Sequence, residues 1–403
     1  MSEARITVVG IGADGWGGLG EPARAAILAS DELIGSQRQL DLLPPEASGA
    51  RRPLPSPLDP LIEDLAGRAN GAVCVLASGD PMLHGIGATL ARRVGAERLT
   101  VHPHPSAFAL ACARLGWPEA DVELVSVVAR PVDVVARVLQ PGRRAVVYAS
   151  GENGAAEIAR ILGEHGFGAS RFVVLERLGA EDERITDGSA DDWGEQPADP
   201  LHAIAIEAAG GPALALVPGL PDEAYDSDGQ LTKRHVRAAT LAALGPLPGE
   251  LLWDVGAGSG SIAIEWLRAE PSARAIAVES RLDRADRIAA NAGALGVPDR
   301  IEIVRGEAPD ALNGLDRPQA IFIGGGLTAD DLLEHCWRAL MPGGRLVANA
   351  VTLESEQVLV AARERHGGEL TRIEISHAEP IGGFSGWRAQ LPVVQWSLRR
   401  EAE

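Results

Sequence analysis

Cysteine is scarce in this chain, with only three in 403 residues. Cys74, Cys112 and Cys336 stand singly in apolar surroundings, which excludes a disulfide framework and a CxxC metal site, and no other metal ligand set is expected. Basic excess is lacking too. Lys and Arg number 37 against 56 Asp and Glu, the net charge is −19, and no Lys/Arg tract occurs. A nucleic-acid partner is therefore not expected, because phosphates need a basic surface. No apolar run approaches the ~18 residues of a membrane span, and residues 1–10 have no basic segment followed by a long apolar core. These absences lead us to expect a soluble, cytoplasmic protein away from membranes. The length implies two or three domains, each with enough chain for a core.

Glycine, by contrast, is abundant at 47 residues, and one cluster is especially informative. The apolar run Leu251–Val255 contains Asp254 and gives way to Gly256, Gly258 and Gly260, with Ala257 and Ser259 between them. A helix-period segment holding Ile262, Trp266 and Leu267 then takes over. A strand, a glycine turn and a helix start let backbone N–H groups and a helix N-terminus approach a ligand closely. Ala275–Glu279 is a second strand ending in an acid, near the ~20-residue spacing of a βαβ unit. An acid there can accept both ribose hydroxyls of a nucleoside. Dinucleotide sites usually space their glycines G-x-G-x-x-G, so that the helix packs close under a pyrophosphate. G-x-G-x-G after Asp254 instead suits a cofactor without phosphate and with a charged amino-acid tail, which disfavours a dehydrogenase. The segment resembles motif I of the Rossmann-like S-adenosylmethionine (SAM) methyltransferases. Further strands at 301–304 and 320–324 and a turn and strand at 340–348 fit that fold, with Glu307 and Ala308 in the stretch where such enzymes hold the adenine.

The front half alternates strands and helices as well, so it too is read as α/β. Strand runs are expected at 5–12, 72–78, 99–102, 144–148, 171–175 and 202–206, with helices at 109–115 and 156–162. This set resembles the tetrapyrrole methylases, which hold SAM in a cleft between two α/β subdomains. The resemblance rests on Val8-Val-Gly-Ile-Gly12, Gly79-Asp80-Pro81, Pro105-Ser106-Ala107-Phe108, Ala113-Arg-Leu-Gly-Trp117 and Glu176-Arg-Leu-Gly179 in that order. It departs at Ser126-Val-Val-Ala-Arg130, where many corrin-ring relatives read Ser-x-His-Gly-Arg, so no general base is assigned in this half.

Gly, Pro and Asp crowd residues 207–229, as a loose connection requires. The expected domains are 1–210, a linker and lead-in at 211–230, and 231–403. Two unrelated SAM-type folds in tandem resemble the fused precorrin-6Y C5,C15-methyltransferases (decarboxylating) of cobalamin biosynthesis. Leu231–Arg237 and Leu391–Trp396 fit the same family. The resemblance implies methylation at carbon 5 by the front domain. The back domain then methylates carbon 15 and removes the ring-C acetate carboxyl, giving precorrin-8X. One SAM per domain is implied, as is a precorrin tetrapyrrole substrate.

Carried over by motif, Thr232, Gly256, Ala257, Gly258, Ser259, Gly260, Glu279, Glu307 and Ala308 surround SAM in the back domain. Gly10, Asp80, Leu83, Ser106 and Ala107 do so in the front. Thr232 could equally cap a helix over 233–243, and Asp80 could be a turn residue before Pro81. The substrate's carboxylate arms call for local cations, since screening confines charges to about 8 Å. Lys233, Arg234 and Arg237 before motif I, and Arg388 after the glycine-rich stretch 382–387, are the candidates. His235 and His377 are weaker acid/base candidates. A homo-oligomer formed through the C-terminal domain is the expected assembly. A second reading keeps only the C-terminal half catalytic and makes the front half a tetrapyrrole-binding module.

Overall fold

Aliphatic runs build the centre of each sheet. The computed structural model describes residues 5–68 and 70–402. Strands β1 (Ile6–Ile11), β2 (Glu32–Gly35), β3 (Ala50–Pro53), β4 (Val73–Ser78) and β5 (Leu99–His102) form an all-parallel sheet in the order β3-β2-β4-β1-β5. Val8, Val9, Val75 and Leu76 at its middle are sealed from solvent. Unbroken aliphatic sequence is what a strand covered on both faces requires. A second sheet holds β6 (Val122–Ser126), β7 (Arg144–Tyr148), β8 (Arg171–Glu176), β9 (Arg184–Ser189) and β10 (His202–Glu207) in the order β6-β7-β10-β8-β9. It is antiparallel except between β6 and β7.

These two sheets belong to one unit, Met1–Ala129 with Leu139–Gly211, and the rest of the chain forms another. Residues 130–138 join the second unit, a feature that a single boundary near 210 does not contain. The segment's 3-10 turns Val132–Val138 pack on the helix Leu282–Ala294, where Gly296 lets the Arg137 backbone approach within 2.2 Å of where a Cβ would lie.

The second unit's sheet comprises β11 (Leu251–Val255), β12 (Arg274–Glu279), β13 (Ile301–Arg305), β14 (Ala320–Ile323), β15 (Arg345–Ala350), β16 (Glu369–Ile373) and, after a hairpin of β17 (Ser376–Ile381) and β18 (Phe384–Ala389), β19 (Val393–Arg399). Its order is β13-β12-β11-β14-β15-β19-β16, parallel as far as β15. The chain direction across the sheet reverses between β11 and β14, and ligands of open α/β sheets bind at such a switch point. Apolar layers cover both faces. Trp253 and Trp396 lie in one and Trp266 in the other, all of them buried.

Three expectations change. The stretch 219–228, read as part of a loose linker, is tied to the second unit: Gly219 N and Leu220 N donate to Glu265, and Asp226 N donates to Asn291 Oδ1 at 2.9 Å. The helix expected over 233–243 spans Arg234–Leu244 with Lys233 at its N-cap, so Thr232 does not cap it. The glycine-rich stretch 382–387 is the turn and second strand of the β17–β18 hairpin, not a loop. Among the described residues no helix is long and apolar enough to cross a membrane, and no cluster of three His, Cys, Asp or Glu could hold a metal ion.

Candidate functional site

Each unit has its own cleft. In the second unit, β11 ends at Val255 and the chain turns through Gly256, Gly258 and Gly260, all at positive φ, into the helix Ser261–Ala269. A Cβ on Gly256 would lie 2.8 Å from the Gly325 backbone, so only glycine allows this turn to close against the loop after β14. Glu279, at the tip of β12, is buried at 4% exposure and braces the turn. Its Oε2 accepts from Gly258 N at 2.9 Å, and its Oε1 accepts from Arg281 N at 2.9 Å. Asp254 is buried beneath the turn, its Oδ2 accepting from Ala263 N at 3.0 Å and its Oδ1 without a partner among the described residues. Burial pushes its carboxyl up to about 7, and the Glu279 charge adds to that rise.

The cleft above the turn encloses about 670 Å³, within the ~300–1,000 Å³ of small-ligand sites. Thr232, Gly256, Ala257, Gly258, Ser259, Glu279, Glu307 and Ala308 all line it, whereas Gly260 sits behind the wall against Ile288. Ser259 Oγ is buried and has no partner among the described residues. Glycine turn, buried ribose-height carboxylate and orphaned hydroxyl together fit a nucleoside with an amino-acid tail.

The four proposed cations separate. Lys233, the chain's sole lysine, lines the cleft half-exposed, with Nζ 3.9 Å from Asp222 Oδ2. Arg234 turns away and donates from Nε to Gly219 O at 2.8 Å. Arg388 lies on the hairpin, paired with Glu379 at 3.0 Å, and is not part of the wall. Arg237 cannot grip a substrate at all. It is fully buried, and its guanidinium is consumed by Glu265, Asp222 and the carbonyl oxygens of Thr232 and Leu220. His235 and His377 meet with their rings tilted by 44° and centroids 5.6 Å apart, and His377 Nε2 lies 2.9 Å from Gln390 Nε2. Gln390 is a wall residue that its sequence context did not single out. Asn349 is another, held by Thr240 at 2.9 Å and Gln395 at 3.0 Å. Isolated amides carry no spacing signal; only the fold gathers them.

The first unit's cleft, about 480 Å³, opens at the C-terminal ends of β1 and β4 and is walled by the second sheet. Asp80, Leu83, Ser106 and Ala107 line it. Asp80 Oδ1 accepts from Met82 N at 2.8 Å, so it also shapes its turn. Ser106 Oγ accepts from Ala109 N at 3.0 Å and caps the helix Ala107–Leu115, whose N-terminus faces the cleft. Gly10 is not a wall residue. A Cβ there would lie 2.1 Å from Gly79 O and 2.9 Å from His104, so Gly10 lets two loops close while Ile11, Gly12 and Ala13 form the wall. Tyr148 accepts from Phe108 N at 2.8 Å, and burial pushes its phenol up. His202 Nδ1 lies 2.7 Å from the Asp199 carbonyl, which can only accept, so that nitrogen carries the proton; burial holds the ring's pKa down. Arg38, Tyr148 and His202 were not singled out by the sequence.

Comparisons with known proteins cover both units. Residues 5–193 match the family of tetrapyrrole (corrin/porphyrin) methylases, and residues 223–400 match the precorrin methyltransferase domain. The precorrin-6Y C(5,15)-methyltransferase (decarboxylating) of Sinorhizobium sp is 46% identical over 395 residues, 97% of this chain and 95% of its own length. Two shorter relatives each match under half of the chain. The "probable cobalt-precorrin-6B C(15)-methyltransferase (decarboxylating)" of Saccharolobus solfataricus is 31% identical over 186 residues, 44% of this chain and 94% of its own. The cobalt-precorrin-7 C(5)-methyltransferase of Salmonella typhimurium is 34% identical over 180 residues, 45% of this chain and 88% of its own.

Proposed function

The chain belongs to the decarboxylating precorrin-6Y C(5,15)-methyltransferases, and on that premise we propose that its two clefts divide the two methylations between them. The chain is a SAM-dependent methyltransferase that methylates a precorrin at carbons 5 and 15 and releases the carboxyl of the ring-C acetate as carbon dioxide. In our reading the first unit serves carbon 5, and the second serves carbon 15 and the decarboxylation. Each unit takes one SAM. The observation that carries this is the pair of separate clefts, one built on Gly79-Asp80 and the Ser106-capped helix, the other on Gly256–Gly260 and Glu279. That shorter relatives are named for carbon 5 and carbon 15 separately supports the division.

SAM supplies a methyl already activated by its sulfonium. The side chains therefore mainly position a ring carbon in line with that methyl. In the second cleft the Gly256–Ser259 wall gives the cofactor a close backbone approach, Glu279 takes the ribose, and Lys233 faces the carboxylate arms. Decarboxylation sends the C–C electron pair into the conjugated ring imine, which takes up a proton, so the macrocycle is its own electron sink. The apolar side chains Val236, Phe322 and Val393 keep that part of the wall poorly hydrated.

Titrating SAM calorimetrically into the full chain tests the division. We expect two molecules per chain. A value near one, with carbon-5 methylation absent from the product by mass spectrometry, would leave the first unit as a binding module. We further propose that copies associate through the second unit, because Phe384, Trp387 and Leu391 stand 85%, 79% and 78% exposed on and beside its hairpin. Light scattering of a Phe384→Ser/Trp387→Ser variant should then report a smaller particle than the parent.

A further inference from the structure

Arg38 lies on the short helix Gln37–Asp41 after β2, and its half-buried side chain lines the first unit's cleft. Its Nη2 donates to Ser78 Oγ at 2.9 Å, at the tip of β4. Among the described residues no carboxylate lies within ion-pair distance of it, although acids outnumber bases 56 to 37 in the chain. Asp199 acts on it only from a distance and already serves Arg177, 3.8 Å away, whose own charge pushes against Arg38. Burial and then the Arg177 charge lower the Arg38 pKa. A cation kept in such a place carries a desolvation cost that an arriving anion would offset. Among the described wall residues Arg38 is also the one Lys or Arg, and Asp80 the one acid.

We propose that Arg38 is the carboxylate-receiving residue of the first unit's cleft, gripping an acetate or propionate arm of the tetrapyrrole. The inference rests on the reading that this cleft methylates carbon 5. A guanidinium offers a planar fork to a carboxylate, and the Ser78 bond fixes the plane of that fork without using all its N–H groups. The net charge of −19 repels a polycarboxylate at long range, so attraction has to come from a cation inside the cleft. SAM also carries a carboxylate, and the experiment separates the two sources.

The full-length Arg38→Gln and Arg38→Lys variants are compared with the parent. For each, the KM for the tetrapyrrole and the kcat of carbon-5 methylation are measured, with the SAM Kd by calorimetry. Carbon-15 methylation in the same samples reports that the chain is folded. Arg38→Gln should raise the KM about ten- to a hundredfold while kcat and the SAM Kd stay within about threefold. Arg38→Lys, a point charge without the fork, should fall between. An unchanged KM overturns the proposal. So does a raised SAM Kd with an unchanged KM, which assigns Arg38 to the cofactor's carboxylate. If the parent itself adds no methyl at carbon 5, the reading of the cleft as catalytic fails, and absorbance titration then judges Arg38 alone. The parent should show two tetrapyrrole-binding events and Arg38→Gln one; two events in both overturn the assignment.

Discussion

Arg237 donates from Nε to Glu265 Oε1 at 2.5 Å with both side chains shut off from solvent. The pair joins the helix Arg234–Leu244 to the helix Ser261–Ala269 and gathers Gly219 N, Leu220 N and the Tyr225 hydroxyl onto the same carboxylate. It is therefore the fastening that turns a Gly/Pro-rich stretch into ordered structure beside the helix that follows the Gly256–Gly260 turn. Removing one partner of a buried pair leaves the other charge uncompensated, at about 3–5 kcal/mol. Arg237→Ala should lower the second unit's unfolding free energy, measured by urea denaturation, by that amount and leave the first unit's transition where it is. The double variant Arg237→Met/Glu265→Leu should cost less than either single change. Normal stability with a raised tetrapyrrole KM would instead make Arg237 a substrate ligand.

Glu279 has a different task. Its Oε1 already accepts from Arg281 N and the Ser280 hydroxyl and its Oε2 from Gly258 N, which leaves Oε2 a lone pair for a ribose hydroxyl. Glu279→Ala should weaken SAM binding in the second unit by roughly 1.5–3 kcal/mol, about ten- to a hundredfold. Calorimetry on the full chain should show one of two binding events weakened. If both isotherms coincide with the parent's, Glu279 only braces the loop.

Of the four candidate cations, Lys233 is the one that lines the cleft; Arg284, also in the wall, is paired with Asp228 at 2.8 Å. Lys233→Met should raise the tetrapyrrole KM for carbon-15 methylation severalfold without moving the SAM Kd. Because it is the only lysine, amine acetylation mapped by mass spectrometry reads its exposure directly, and bound tetrapyrrole should protect it. Equal labelling with and without tetrapyrrole would count against its role.

Much of this was legible beforehand because it is local. Asp254 to Glu279 carries its own punctuation, in which an apolar run, three glycines, a helical period and an acid after the next strand fix both elements and their order. Arg237 was misread because Lys233 and Arg237, four apart, look like one cationic helix face. What buries Arg237 is Glu265, far along the chain. Residues 130–138 read as part of the front half, and nothing local says that Val134 and Val135 pack in the second unit. The hairpin gives little sequence signal because β17 and β18 are largely exposed and Gly382, Gly383 and Gly386 interrupt the apolar residues around them. Arg38 gives no signal, being one arginine among many until the fold places it in the cleft with no carboxylate of the described residues in ion-pair reach.

Asp254 makes the second unit's stability depend on pH. An unfolded Asp titrates near 3.9, whereas burial pushes this one up to about 7. Between those values the unfolded chain has released a proton that the folded chain keeps, so stability falls as pH rises through the window. The loss ends above about 7, once the folded carboxyl ionises as well. From pH 6 to 8 the linkage amounts to about 1.4 kcal/mol. Asp254→Asn keeps an oxygen to accept from Ala263 N but cannot ionise, so it removes this slope. Urea midpoints of the second unit at pH 6, 7 and 8 should therefore decline more steeply in the parent than in Asp254→Asn, and the variant should be the relatively more stable of the two at pH 8. Taking the difference between the curves cancels every other titrating group. Parallel curves would mean that Asp254 is ionised throughout and that a partner outside its present hydrogen bonds holds its charge.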